Sequence, residues 1–155
     1  MITEDAVEFS VALPQTGGLL GLDLGTKTIG VATSDPDRRI ASPIKTLKRG
    51  KFSAGLTDLR ELIQERQTTG LVLGLPINMD GTSGPRAQSS RTFGRNLSRE
   101  LSLPVLLWDE RLSTAAMERE LISLDTSRKR RAEVIDAMAA NFILQGALDR
   151  LLAID

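Results

Sequence analysis

The chain has 155 residues, of which 41% are hydrophobic and 26% charged, with 20 basic and 20 acidic side chains. This length is typical of one domain with a single hydrophobic core. His, Cys and Tyr are all absent, which excludes Ser-His-Asp triads, cysteine nucleophiles, zinc sites built from thiolate or imidazole, and tyrosine strand transfer. An enzyme of this composition has to work with carboxylates, lysines, hydroxyls and a bound hard cation.

The distribution of apolar and charged residues gives first limits on the organisation. No apolar run is long enough to span a membrane and no signal-peptide pattern is present, so we expect a cytoplasmic protein that does not contact membranes. Residues 1–17 contain three acidic and no basic side chains, and we expect a mobile N-terminal tail there, followed by one folded domain over residues 18–155. That domain is mildly basic, with 20 basic against 17 acidic groups.

Hydrophobic periodicity predicts strands and helices from residue 19 onward. The first three segments are strands, and the short links between them favour antiparallel pairing. The order βββαβαβαα then predicts an α/β fold, a mixed sheet with helices on its faces. The strands are expected at 19–24, 28–34, about 40–47, 71–75 and 103–108, and the helices at about 53–66, from Pro85 onward, near 113–123 and at about 132–152.

Three acidic positions interrupt apolar segments. Asp23 lies in the strand 19–24, Asp109-Glu110 closes the strand 103–108, and Asp136 interrupts the last helix. Period-2 alternation places Asp23 on the strand face that otherwise carries only glycines, which leaves room for a metal ion or a phosphate. Three carboxylates in three hydrophobic elements suggest one shared site.

Converging carboxylates need compensation, because two unit charges ~4 Å apart repel by roughly 4 kcal/mol at an effective dielectric constant of about 20. A hard divalent cation, Mg²⁺ or Mn²⁺, is the usual occupant of an all-carboxylate cluster, and a shared proton is the alternative. Each acid could equally be satisfied separately: Asp23 by turn amides, Asp109 or Glu110 as a helix N-cap, and Asp136 by an arginine.

Basic residues supply candidate phosphate contacts. Arg91, Arg95 and Arg99 recur every four residues on the helix that begins near Pro85, as either a phosphate-binding stripe or a solvated face. The run Arg128-Lys129-Arg130-Arg131 immediately precedes the last helix, which favours nucleic-acid contact over a solvated link. The loop Gly81–Gly84 could bind a phosphate through its amides or be an ordinary turn.

Four separated motifs follow one another in the sequence. They are Gly21-Leu22-Asp23-Leu24-Gly25-Thr26-Lys27, then Gly74-Leu75-Pro76 with Met79-Asp80-Gly81-Thr82-Ser83-Gly84-Pro85-Arg86, then Asp109-Glu110-Arg111-Leu112-Ser113-Thr114, and finally Arg128-Lys129-Arg130-Arg131 with Ile135-Asp136-Ala137-Met138-Ala139-Ala140. In this order they resemble the YqgF family of bacterial RNase H-like nucleases, and the similarity runs from about residue 19 to 150.

The resemblance implies an RNase H-like fold, a five-stranded mixed sheet in the order 3-2-1-4-5 with helices on both faces. It implies dependence on Mg²⁺ or Mn²⁺, with Asp23, Glu110 and Asp136 as catalytic and metal-binding residues. Thr28 departs from the family pattern, in which a basic residue is usual. Glu110 also follows the fifth strand, about 10 Å from the first, and would have to lean inward.

The sequence therefore predicts a metal-dependent endonuclease that acts on structured nucleic acid, as a monomer or a homodimer. The resemblance implies processing of the 5′ end of pre-16S ribosomal RNA, with Holliday junction resolution as the alternative. A half-domain of an actin-like ATPase and a non-catalytic RNA-binding module are two further alternatives. The expected nucleic-acid-binding residues are Lys27, Arg86, Arg91, Arg128, Lys129, Arg130 and Arg131.

Overall fold

The computed structural model describes residues 1–112 and 128–154, and describes side chains within 1–112 and 137–154. The predicted segments that fall on the described residues are present with small shifts of their ends. The strands are β1 (Ile2–Thr3), β2 (Gly18–Leu24), β3 (Thr28–Ser34), β4 (Ala41–Lys48), β5 (Thr68–Leu75) and β6 (Val105–Asp109). The helices are α1 (Ala6–Ala12), α2 (Phe52–Arg66), α3 (Pro85–Leu101) and α4 (Arg128–Leu152), with a 3-10 turn at Glu110–Leu112.

The strands form one mixed sheet in the order β4-β3-β2-β5-β6-β1. The pairs β2–β3 and β3–β4 are antiparallel, as their short links predict, and the other pairs are parallel. The predicted order 3-2-1-4-5 is confirmed for β2 to β6. The predicted count of five strands is wrong, because β1 adds a sixth strand at the β6 edge.

Residues 1–17 are not a mobile tail, so that prediction is wrong. Ile2 and Thr3 pair with β6, and Asp5 caps α1 by accepting a hydrogen bond from the Val7 N–H at 2.9 Å. Phe9 is completely buried. The acidic charge of the segment suggested a solvated chain, but its apolar residues bury surface against the domain, which stabilises the ordered state.

Alternation along the central strands sorts their side chains into two cores. In β2, Leu20, Leu22 and Leu24 belong to the core beneath α2 and α3, whereas Leu19 belongs to the core beneath α1 and α4. Asp23 has the same parity as Leu19 and therefore lies on the face that α4 covers. Helices pack on both faces of the sheet, as predicted.

Two predictions concern the C-terminal third of the chain. The run 128–131 forms the first turn of α4, so it is helical and not a link before the helix. The helix predicted near 113–123 lies outside the described residues. Within the described ranges, no helix is both long and apolar enough to cross a membrane.

Candidate active site at the carboxyl end of strand β2

Asp23 is a buried carboxylate, 5% exposed, near the end of the central strand β2. Its partner in β3 is Gly30. In β5, Leu73 is opposite Leu22, so the same register brings Gly74 beside Asp23. Neither neighbour has a Cβ, so these two strand positions place no side chain of their own beside the Asp23 carboxylate. Over Gly74 the space is taken by Ile143 Cδ1 and the Glu110 carboxylate.

Gly21 does not leave room for an ion, as strand alternation had suggested, but for the helix α4. A Cβ on Gly21 would lie 2.6 Å from the Cβ of Leu144 and 3.0 Å from the carbonyl oxygen of Ala140. The space above Gly21 is therefore filled by α4 and does not receive an ion. This glycine lets the helix approach β2 closely, one helical turn after Asp136.

The Glu110 carboxylate leans inward over the sheet. Its Oε1 lies 3.2 Å from the position that a Cβ on Gly74 would occupy. Glu110 follows β6, yet its side chain crosses to β5, and strands are spaced about 4.8 Å apart. Gly74 is thus the position that lets Glu110 lie over β5, one of the two strand spacings that separate it from Asp23.

Asp109 fixes the turn that carries Glu110. Its Oδ1 accepts hydrogen bonds from the Arg111 backbone N–H at 2.9 Å and from Arg111 Nε at 3.0 Å, and its Oδ2 accepts one from Arg111 Nη2 at 2.7 Å. The hydrogen bonds from the Arg111 side chain hold the pKa of Asp109 below its usual value. Asp109 is therefore the capping residue of the pair, and Glu110 is the one that points toward β5.

The third predicted acid, Asp136, lies in α4, and its side chain is outside the described part of the chain. Within the described side chains no three carboxylates form a group that could hold a metal ion. Two predicted members, Asp23 and Glu110, lie on the same face of the sheet, at the neighbouring strands β2 and β5. Carboxylate oxygens are the donors that suit a hard divalent cation.

Two of the predicted phosphate-binding residues flank the end of β2. Lys27 is exposed in the link between β2 and β3. Arg86, in the first turn of α3, is exposed and directs Nη2 toward the Leu24 carbonyl at 3.4 Å. Lys27 is therefore four residues beyond Asp23 along the chain, and Arg86 lies against the strand that carries Asp23, at the next residue.

The arginine stripe of α3 is engaged with protein groups. Arg91 donates to the Ser83 hydroxyl at 2.8 Å and forms an ion pair with Glu4 at 3.5 Å. Arg95 and Arg99 each donate to a side chain three residues earlier on the same helix. These contacts favour the solvated-face interpretation for the stripe and give Arg91 a partner in the N-terminal segment.

The loop before α3 uses its amides internally. The Gly81 N–H donates to the Asn78 carbonyl at 2.8 Å, and the Thr82 N–H donates to Asp80 Oδ1 at 2.9 Å. Gly81 has a φ of +88°, a value that suits glycine. These contacts favour the ordinary-turn interpretation over a phosphate-binding loop.

Arg49 is a cation at the site that sequence analysis missed. It donates from Nη1 to the Gly25 carbonyl at 2.8 Å and from Nη2 to the Ser89 hydroxyl at 2.9 Å. Its backbone N–H donates to the Lys27 carbonyl at 2.9 Å. The only signal in the sequence is the basic cluster Lys48-Arg49-Gly50-Lys51 after a predicted strand, which carries no periodicity.

The strand order and the helices on both faces of the sheet define an RNase H-like fold. The matches to known proteins add the class, a nuclease that hydrolyses phosphodiester bonds. The profile of the family described as "RuvX: Holliday junction resolvase" matches residues 17–150. The chain belongs to this RuvX family, also called YqgF, which confirms the resemblance found in the sequence.

Full-length relatives agree with this assignment. A Rhodobacter capsulatus protein described as a candidate pre-16S rRNA nuclease is 60% identical, covering 97% of this chain and 95% of its own length. A Cereibacter sphaeroides protein with the same description is 63% identical, covering 97% of this chain and 94% of its own length. The Thermus thermophilus RuvC structure in complex with a Holliday junction substrate aligns with a TM-score of 0.54 at 11% identity, over 87% of this chain and 96% of that one, which supports the fold alone.

Proposed function

We propose that this protein is a metal-dependent endonuclease that cleaves structured RNA at the 5′ end of the 16S ribosomal RNA precursor, in the cytoplasm. The descriptions of its relatives in Rhodobacter and Cereibacter support the substrate. The observation that best supports metal-dependent cleavage is the position of the Glu110 carboxylate. It lies over Gly74, which is the neighbour of Asp23 in the sheet.

The placement of α4 supports Asp136 as the third acid. Gln145 accepts a hydrogen bond from the Ala41 N–H at the far end of the sheet, whereas the Ala140 carbonyl lies over Gly21. The N-terminal part of α4 therefore points toward the end of β2 that carries Asp23. Four residues of helix span about 6 Å, and the two residues from Gly21 to Asp23 span about 7 Å, so the Asp136 backbone is expected at the level of Asp23.

The described donors fit Mg²⁺ or Mn²⁺, because they are carboxylate oxygens, the ligands that these hard cations prefer. Asp23 and Glu110 would hold the ion, with Asp136 completing the set. When bound, a divalent cation offsets the mutual repulsion of the carboxylates and stabilises the charge that develops on the phosphate.

The chain's own residues would divide the remaining work. Asp23 lies on the central strand and would fix the position of the cation, and through it that of the reacting phosphate, relative to the sheet. Glu110 lies on a short turn braced by Asp109 and would orient the attacking water from the β6 side. Lys27 and the basic first turn of α4 would bind the phosphates that flank the cleaved bond.

A direct test uses a 16S precursor transcript and a four-way DNA junction, each incubated with Mg²⁺ or Mn²⁺, followed by sequencing of the product ends. We expect defined 5′-end cleavage of the RNA by the wild type, no cleavage by Asp23→Asn or Glu110→Gln, and wild-type cleavage by Glu65→Gln, a matched change at an exposed position of α2. Cleavage of the junction alone would establish the resolvase alternative. Cleavage of neither substrate would refute the proposal.

A further inference from the structure

A cleft opens between α3 and the start of α2, on the face of the sheet opposite α4. It has a volume of about 350 Å³, and its lining includes Arg49, Phe52, Ser89, Phe93 and Asn96. A smaller pocket of about 180 Å³ shares Arg49 and Ser89 with it and continues to Gly25 and Arg86. The two pockets therefore adjoin at Arg49 and Ser89, whose side chains are hydrogen-bonded to each other, and together they mark a path over the surface from the end of β2 to the cleft.

The path begins with two guanidinium groups. Arg49 is anchored by the Gly25 carbonyl and the Ser89 hydroxyl, and these two bonds use two of the five N–H donors of its side chain. Arg86 lies against the carbonyl of Leu24. A fixed guanidinium fork is suited to binding a phosphate through paired hydrogen bonds.

The lining of the cleft combines aromatic and polar side chains. Phe52 is half-buried, and its ring centroid lies 5.6 Å from that of Phe93 at an interplanar angle of 86°. These are two of only four phenylalanines in the chain. Thr92 and Asn96 bring hydroxyl and amide groups to the same cleft, which can hydrogen-bond to the edge of a base.

We infer that this cleft binds an unpaired nucleotide of the substrate, next to the nucleotide whose phosphate is cleaved. Arg49 and Arg86 bind its phosphate, and its base enters the cleft against Phe52. Unpaired bases are recognised by stacking on aromatic rings together with hydrogen bonds to their edges. The cleft volume is at the lower end of the range for small-molecule pockets, about 300 Å³ and above, which suits one nucleotide.

The position relative to the catalytic carboxylates favours this occupant. Gly25 is two residues beyond Asp23, so at most about 7 Å of extended chain separates their Cα atoms. A strand whose phosphate lies over Asp23 and Glu110 reaches Arg49 by crossing the end of β2. The inference rests on the proposed nuclease function and adds that cleavage occurs beside a single-stranded nucleotide.

Binding measurements in the Asp23→Asn background test the cleft without cleavage. The probes are a blunt RNA stem and the same stem with a short unpaired extension at its 5′ or its 3′ end. We expect one of the extended stems to bind about 10-fold more tightly than the blunt stem, since stacking of one base contributes about 1–3 kcal/mol. Phe52→Leu and Asn96→Ala should each reduce this affinity ratio, Phe52→Leu to near one.

Phe142→Leu is the matched control, because Phe142 is a partly buried phenylalanine packed in the core beneath α4. Phe142→Leu should lose about as much packing as Phe52→Leu, but it should keep the 10-fold ratio of affinities for the extended and the blunt stem. Equal affinity for blunt and extended stems, or a ratio that survives both cleft variants, would overturn the inference. Neither result would affect the proposed function, which depends on cleavage by the wild type.

Discussion

Gly74→Ala tests whether Glu110 has to lie where it does. The added Cβ would be 3.2 Å from Glu110 Oε1 and 2.5 Å from Ile143 Cδ1. Overpacking of this kind costs about 1–3 kcal/mol, which is partly offset by about 0.4–1 kcal/mol from the reduced entropy of the unfolded chain. Because the carboxylate has to move by a few tenths of an ångström, we expect a loss of cleavage of about 10-fold, less than the roughly 10²-fold effect of a shift of about 1 Å.

Gly70→Ala is the matched control in the same strand and on the same face. A Cβ there would lie 2.7 Å from Leu13 Cδ2, far from Glu110. Both variants should lower the free energy of unfolding by similar amounts in urea titrations, but only Gly74→Ala should lose cleavage and Mg²⁺ affinity. The double variant Gly74→Ala with Ile143→Val removes the methyl that clashes, so its stability should recover while its activity stays low.

The two readouts separate a structural role for Gly74 from a role at the site. Single-turnover cleavage should be measured at a temperature where every variant is folded. Wild-type cleavage by a Gly74→Ala protein of reduced stability would refute the reasoning, because the Glu110 carboxylate would then not need the space above Gly74. Equal losses of activity in the Gly74 and Gly70 variants would refute it as well.

Three further predictions concern charge. Asp23→Asn should leave the metal-free protein at least as stable as the wild type, and Mg²⁺ should raise its melting temperature less, since a ligand stabilises the state that binds it; equal shifts would remove Asp23 from the site. In the double variant Arg130→Gln with Arg131→Gln, the slope of log K for nucleic-acid binding against log salt concentration should decrease by nearly one unit per lost phosphate contact. Turnover at saturating substrate should change little. An unchanged slope would show that residues 128–131 are a solvated surface that does not bind phosphates. Because Arg111 lowers the pKa of Asp109, this carboxylate stabilises the fold above its unfolded pKa of about 3.9 and loses that effect as the pH falls through its lower folded value. The unfolding free energies of wild type and Asp109→Asn should therefore converge below about pH 4, and a constant difference would contradict this assignment.

Periodicity was sufficient to predict the strands of the central sheet, whereas their order came from the family resemblance. The strands around Asp23 alternate strictly between two cores, so their bounds and their antiparallel links follow from local pattern. The N-terminal segment was predicted wrongly for a related reason. Its strand β1 has two residues and its helix α1 has seven, which is too short for a periodic signal, and their order depends on contacts such as the burial of Phe9.

Arg49 shows another limit of local pattern. Its importance comes from the carbonyl of Gly25 and the hydroxyl of Ser89, which are 24 and 40 residues away along the chain. Such contacts are set by tertiary packing, so the residues next to Arg49 in the sequence do not indicate them. The candidate cleft could therefore be found only after the fold was known.

Glu110 shows the opposite case, because Gly74 in the sequence indicated where its side chain could lie. Counting strands places Glu110 two strand spacings from Asp23, about 10 Å away, and this distance was the main objection to a shared site. A glycine inside a buried strand is unfavourable for strand formation and often marks a place where another group approaches closely. Gly74 lies in the strand between the two acids, at the level of Asp23, and its missing side chain leaves room for the Glu110 side chain to extend over that strand. An aspartate at position 110 would be one methylene shorter and should fail to reach, so Glu110→Asp is expected to lose cleavage although it keeps the charge. Wild-type activity in Glu110→Asp, measured beside the inactive Glu110→Gln, would show that reach over Gly74 is not what the site requires.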